Sequence, residues 1–230
     1  MCEGVRAVEE LLRSPIVPTG VIVAPQLLDA PRGAALRELI RQAGCAVEEI
    51  DANDFRTAAE TESPQGVLAI APIPERTLDQ ISPVDGMRLL VLDALQDPGN
   101  VGTILRTAAA LGAAATIALP GTVDLWNAKV VRGAMGALFN HACMTATWDE
   151  LDAFRTRAGV ALWVADADGA PLNTVPAPAR VALVVGNEGA GVSAEARGRA
   201  ERTIALPISS TVESLNVAVA AGILLYELRP

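Results

Sequence analysis

TIALPISSTVESLNVAVAAGILLYEL, residues 203–228, decides how the rest of the chain is read. A short apolar strand runs into a polar loop, and the loop runs into a helix that is apolar on every side. Such a helix is expected to be buried. Its first turn is expected to carry Glu213, Ser214 and Asn216. Ser210, three residues ahead of Glu213, has the spacing of a capping box that satisfies the unpaired amides of a helix start. A dense set of polar groups therefore meets the core at one helix end. Taken alone, a well-capped core helix is the simpler explanation, and two stretches upstream change that balance.

The 230 residues are 51% hydrophobic and 20% charged, the balance of a globular protein with a core of good size. No apolar run approaches the ~18 uncharged residues that suggest a membrane span, and no basic-then-apolar leader opens the chain, so a cytoplasmic location is expected. Cys2, Cys45 and Cys143 are widely spread and have no paired His or Cys neighbours. Neither a disulfide framework nor a metal site is expected from them. His141 is the single histidine and lies in an apolar stretch, which makes a satisfied core residue the better reading than a catalytic base.

The net charge of −9 argues against a broad basic surface gripping nucleic acid. It leaves room for a local patch. Lys129 is the only lysine, and the arginines offer planar donor forks suited to phosphate. Arg6, Arg13, Arg32, Arg37 and Arg41 form such a patch or else lie on solvated helix faces.

Residues 1–71 read as a small alternating unit. Helices are expected from Glu3 to Leu12 and from Ala34 to Ala43, and strands at Val21–Ala24, Ala46–Ile50 and Val67–Ala71. That alternation implies a mainly parallel sheet. Pro64 and Gly66 mark a turn in the loop 61–66, a place for recognition or a plain connection. Residues 72–86 lose all periodicity around Pro72, Pro74 and Pro83, which marks a linker.

The second unit opens with LLVLDALQDPGNVGTILRTAAALG (89–112). This is a strand, a turn on Asp97, Pro98 and Gly99, and a helix for which Asn100 is a good cap. Ile104, Ala108 and Leu111 make its buried stripe, while Gly102 and Arg106 share another face. A strand at Ala115–Leu119, a helix through Lys129–Leu138, a strand near Ala142–Thr147, a helix Glu150–Ala158 and a strand Val160–Ala165 are expected to follow. VALVVGNEGAGVS (181–193) then gives a buried strand followed at once by a glycine-rich turn, a backbone that permits close approach to a ligand. It lacks the Lys-Ser/Thr pair of a nucleoside triphosphate loop. It also follows the fifth strand of its unit, where a dinucleotide fingerprint would open the first crossover. Glu188 in the turn suits a cation or a hydroxyl donor, not pyrophosphate.

Together the three stretches resemble the SpoU (TrmH) family of SPOUT methyltransferases. The first motif is similar to Asn100-Val-Gly-Thr-Ile-Leu-Arg106, the second to Gly186-Asn-Glu-Gly-Ala-Gly191 and the third to Leu206-Pro-Ile-Ser-Ser-Thr-Val-Glu-Ser-Leu-Asn216. Ile208 stands where methionine is usual, and Ser210 where glycine is frequent. Residues 1–71, with Glu3-Gly4 and the Glu62-Ser-Pro-Gln-Gly66 loop, resemble the RNA-binding domain that precedes the catalytic domain in many members.

The resemblance implies an α/β chain with a small RNA-binding domain (1–71), a linker (72–86) and a parallel-sheet catalytic domain (87–230) carrying a trefoil knot. It also implies methyl transfer from S-adenosylmethionine to a ribose 2′-hydroxyl of rRNA or tRNA, and a homodimer paired through the catalytic domain. By the same resemblance Gly186, Asn187, Gly189, Leu206, Ile208 and Leu215 hold the cofactor. Arg106 contacts the target phosphate or helps remove the hydroxyl proton, while Asn100, Glu188, Ser214 and Asn216 orient it and the substrate. Lowering the hydroxyl pKa suits an always-protonated guanidinium better than acting as a base. Two other readings stay open: a non-catalytic RNA-binding or ribosome-assembly protein on the same fold, and an α/β nucleotide-binding enzyme unrelated to RNA.

Overall fold

In the computed structural model residues 1–209 and 211–229 are described, and they fall into two compact units. The first comprises Met1–Pro74 with Trp126–Asn140, the second Glu75–Leu125 with His141–Pro230.

The first unit holds β1 (Cys2–Glu3), α1 (Val5–Leu12), β2 (Gly20–Val23), α2 (Pro31–Ala43), β3 (Ala46–Glu49), α3 (Ala52–Ala58) and β4 (Val67–Ile70). Its sheet runs β1-β4-β2-β3. The expectation of a mainly parallel sheet is corrected. Only β2–β3 is parallel, and β4 pairs antiparallel with both β1 and β2. The direction in which β4 enters beside β2 leaves no mark in the strand periods, and the two-residue β1, which adds a second antiparallel pairing at the edge, is too short to show a period at all. α3 was also hidden, although Asp51 caps it by accepting from Asn53 N at 2.7 Å and Asp54 N at 2.9 Å.

The loop after α3 is drawn onto the start of the chain. Glu3 accepts from Glu60 N at 2.8 Å and from the Thr61 hydroxyl. Gln65 Oε1 accepts from Val5 N at 2.9 Å, supplying the cap that Gly4 lacks at the start of α1. Most of the arginines singled out in this unit do not form an open basic patch. Arg13 and Arg32 pair with Glu9, Arg37 with Glu49 and Arg41 with Glu38.

The second unit continues with β5 (Arg88–Asp93), α4 (Pro98–Ala110) and β6 (Ala115–Ala118). The chain returns to the first unit for α5 (Ala128–Gly133) and α6 (Ala137–Asn140). One continuous helix was expected there. It is broken at Met135 and Gly136, with φ of 52° and 90°. A Cβ on Gly136 would meet the side chain of Glu10 on α1 at 2.4 Å, so the break lets α1 approach.

The remaining elements are β7 (Cys143–Thr145), α7 (Trp148–Ala158), β8 (Ala161–Pro171), β9 (Val181–Gly186), α8 (Ala194–Arg199), β10 (Arg202–Ala205) and α9 (Val217–Glu227). All five strand pairings in the order β10-β8-β9-β5-β6-β7 are parallel. Every residue of β5 and β6 is buried, as expected where a parallel sheet is covered on both faces.

α9 corrects two expectations. It starts at Val217 with Asn216 as its cap, so Glu213 and Ser214 lie in the preceding loop, and the capping box drawn on Ser210 lies outside the described residues. Nor is it buried all round. Ala218, Ala221, Leu224 and Leu225 face inward, while Val219, Ile223 and Tyr226 are exposed on this single chain. Among the described residues no helix is long and apolar enough to cross a membrane.

Candidate active site

Strand order reverses between β5 and β9, because the chain runs outward through β6 and β7 and returns through β8 to β9. Open parallel sheets bind ligands at the carboxyl ends of the strands at such a point. Asp93 and Gly186 are register partners at the ends of β5 and β9, and the turns that follow are tied together. Asn187 Nδ2 donates to Ala94 O at 2.9 Å, and Ser193 N donates to the buried Asp93 Oδ2 at 2.6 Å. Asn187 Oδ1 accepts from Gly189 N at 3.0 Å and Ala190 N at 3.1 Å, closing the turn on itself.

Two of the glycines of that turn are required, for different reasons. A Cβ on Gly186 would lie 2.2 Å from Val192 N and 2.3 Å from Gly191 O. The close approach is thus to the turn's own returning backbone, and no side chain fits. Gly191 has φ +71°, a conformation glycine adopts without steric cost. Gly189 meets only Asn187 Oδ1, at 3.7 Å.

Asn100 was expected to cap α4, and Asp97 does so instead, its carboxylate accepting from Asn100 N at 2.7 Å. That frees the Asn100 side chain for the site. Asn216 Oδ1 accepts from Ala218 N at 2.9 Å and Val219 N at 3.3 Å, so its amide nitrogen points away from α9. It donates to Asn100 Oδ1 at 2.9 Å, and Asn100 Nδ2 donates in turn to Glu188 Oε1 at 3.0 Å. The cap of one helix thus fixes the orientation of every polar group in the chain, ending on a carboxylate.

Around this chain lies a cavity of about 630 Å³, within the range of small-molecule sites. Ala165–Ala167 of β8, Val185–Gly189 and Gly191, Leu206 and Ile208, and residues 213–217 form its walls, with Ala220 and Leu224 of α9. Asn100, Glu188, Ser214, Asn216, Gly186, Asn187, Gly189, Leu206, Ile208 and Leu215 all line it. Among the described residues its charged lining is Asp166, Glu188 and Glu213, all acidic. Asp166 escaped the sequence reading because it breaks the apolar run of β8 and looked like a strand end. Its place at the carboxyl end of a parallel strand was the available signal.

Arg106 is not in the cavity. It lines a shallow groove with Thr107, Ala110, Leu111, Gly222, Ile223 and Tyr226, between α4 and α9. Gly102 on the same helix is buried, and a Leu111 expected in the core is half-buried. His141 is a core residue: its Nε2 lies 2.8 Å from Thr116 Oγ1. Burial, helped by the charge of Arg76, pushes its pKa down to about 4. The three cysteines are free, and among the described residues no cluster of metal-ligating side chains occurs.

Comparison with known proteins agrees with this geometry. Residues 87–226 match the model of the SpoU rRNA Methylase family, and residues 1–77 that of RNA 2′-O ribose methyltransferase substrate binding. The 23S rRNA (guanosine(2553)-2′-O)-methyltransferase RlmP of Bacillus subtilis is 38% identical over 234 residues, spanning 100% of this chain and 88% of that protein. The AdoMet-bound rRNA methyltransferase from Sinorhizobium meliloti superposes with a TM-score of 0.85 at 28% identity, covering 99% of this chain and 85% of that one. The SpoU methyltransferase AviRb from Streptomyces viridochromogenes in complex with AdoMet gives 0.85 at 26% identity, over 99% and 88% of the two chains.

Proposed function

We propose, on the premise that the chain belongs to the SpoU rRNA methylase family, how its residues divide the work of moving a methyl group from S-adenosylmethionine to a ribose 2′-hydroxyl of RNA. The observation that carries the proposal is the acidic cavity at the strand ends, into which the Asn216–Asn100–Glu188 chain is oriented. A cavity lined by carboxylates, neutral amides and apolar side chains, with no cationic side chain among the described residues of its lining, fits an adenosyl sulfonium and disfavours a phosphate ligand. Bound there, S-adenosylmethionine supplies the electrophilic methyl.

The protein's task is to hold the hydroxyl in line with that methyl, since near-attack geometry supplies much of the rate. Asn100, Glu188 and Asn216, with Ser214 beside them, orient the target nucleotide. The turn Gly186–Gly189 and the side chains of Leu206, Ile208 and Leu215 hold the cofactor. The segment 206–216 leaves β10 at the sheet edge and enters α9, which packs on α4 and on β9 near the middle. That crossing is the segment we assign to the knot.

Residues 1–71 serve as the RNA-binding domain, 72–86 as linker and 87–230 as catalytic domain. The substrate is ribosomal RNA, the class named for the Bacillus subtilis relative, and the reaction belongs in the cytoplasm. Two copies pair through α9 and α4. The exposed Val219, Ile223 and Tyr226 support this, and so does the place of Arg106, in the groove beside them and outside its own cavity. Pairing there lets the partner's Arg106 reach the site, where a guanidinium stabilises charge developing on the ribose oxygen.

The test is to map ribose methylation in ribosomal RNA from cells with and without the gene and to follow methyl transfer by the purified protein. One methylation lost with the gene and restored in vitro is expected. Tight RNA binding without S-adenosylmethionine binding in calorimetry would instead establish the non-catalytic reading. Light scattering reporting a monomer at micromolar concentration would remove the dimer and, with it, the role of Arg106.

A further inference from the structure

The three carboxylates lining the cavity are not alike. Asp166 pairs with Arg197 of α8, and its side chain is only 12% exposed. Its second oxygen accepts from Asp168 N at a long 3.3 Å. The pair sits beneath the glycine turn: a Cβ on Gly191 would lie 3.7 Å from Arg197 Nη2 and 4.0 Å from Asp166 Oδ2. Glu188 and Glu213 are exposed, and among the described residues neither forms an ion pair. Among the described residues Glu188 is met by the neutral amide of Asn100.

A carboxylate whose charge is compensated attracts a cation weakly, yet it keeps acceptor capacity, because an ionised carboxylate offers about four lone-pair sites and this one uses two. It suits hydroxyl donors. Uncompensated carboxylates suit positive charge instead.

We propose that Asp166 accepts hydrogen bonds from the vicinal ribose hydroxyls of the cofactor's adenosine, with Arg197 as its positioning residue, and thereby sets which way the cofactor lies. The inference rests on the methyltransferase reading above. The nucleoside lies toward β8 and α8, and the sulfonium with its amino-acid ammonium lies toward Glu188, where Asn100 and Asn216 meet. The methyl is then delivered at the end of the cavity that holds the oriented amides.

The test is calorimetric and needs no turnover. S-adenosylhomocysteine and its 2′,3′-dideoxy analogue are titrated into the wild-type protein, Asp166→Asn, Asp166→Ser and Arg197→Ala. In the wild type, removing the diol is expected to cost about tenfold or more, the size of hydrogen bonds to a charged group. In both Asp166 variants the two ligands should bind with equal, weakened affinity, and in Arg197→Ala the diol dependence should shrink. The preference for S-adenosylmethionine over S-adenosylhomocysteine should survive in Asp166→Asn and fall in Glu188→Gln. An undiminished diol dependence in the Asp166 variants, or in Arg197→Ala where those do not fold, overturns the proposal. So does a changed preference in Asp166→Asn. Wild-type protein that binds neither S-adenosyl ligand sinks the methyltransferase reading itself, a separate result.

Discussion

The turn after β5 and the turn after β9 leave adjacent parallel strands in register, yet they are held differently. The first is closed by its own side chain, Asp97, which caps α4. The second is closed by Asn187 and in addition leans on the first: Asn187 reaches Ala94 O, and Ser193 N is held by Asp93 at the end of β5. The glycine turn is therefore no autonomous ligand loop. Its shape is set by a strand whose end is about a hundred residues earlier in sequence, and damage on either side of that seam should read out differently.

The largest effect should come from Gly186→Val. The added Cβ would overlap the backbone at Gly191 and Val192, which cannot move aside as a flexible side chain would. Turnover should fall by at least about 10²-fold through misplacement of the cofactor, with stability lower by about 1–3 kcal/mol from overpacking. No φ strain contributes, since Gly186 is not among the positive-φ glycines. S-adenosylmethionine affinity retained within a few-fold in calorimetry would detach the turn from the cofactor.

Asn100→Ala cuts the chain of amides in the middle while leaving the cap of α4 in place. Turnover should drop by about tenfold to a hundredfold as orientation of the nucleotide is lost, and the melting temperature should hardly move. An equal loss of cofactor affinity would place Asn100 on the cofactor side instead of the substrate side.

Asn187→Ala removes the tie to Ala94 and leaves backbone groups without partners, at a cost of about 1–3 kcal/mol. Denaturant unfolding should show it, together with about tenfold weaker cofactor binding. An unchanged denaturation midpoint would mean that the turn stands without β5.

The smallest effect is expected of Asp97→Ala. Loss of a helix cap costs about 1 kcal/mol, or about 2–4 °C in melting temperature for a chain of this length. Cofactor affinity should stay within a few-fold. A large loss of affinity would show that the first turn, too, is part of the binding surface.

The strands on either side of this seam were legible because β5 and β9 are apolar runs bounded by turn residues, the signature of strands covered on both faces. β8 was read only to Ala165, since Asp166 and Asp168 interrupt its run, although it extends to Pro171. Pairing with β10, after a register shift between Thr203 and Ile204, stabilises the remainder. Short elements such as β1 and α8 carry too few residues to show a period. At the site, the residue types were readable from three local stretches, but their contacts were not. Asn100 and Asn216 lie 116 positions apart, and no spacing rule predicts that the cap of one helix will orient a side chain in the first turn of another. Arg106 shows the converse: its stretch was recognised, while its position outside the cavity depends on how α4 faces α9.

One contact far from the cavity bears on how the protein is made. The buried Arg88, at the start of β5, donates to Met87 O and Ala179 O and to Leu228 O at the end of α9. The helix that closes the cavity is thus clasped at one end by Asn100 and at the other by Arg88, both more than a hundred residues earlier. During synthesis β5 and α4 emerge long before the element that completes them, and such distant contacts slow folding. Until α9 is in place, the cavity lacks one wall and Arg88 lacks its acceptor at Leu228, keeping those at Met87 and Ala179. The site is therefore completed by the docking of α9, and not by the folding of β5 and α4 alone.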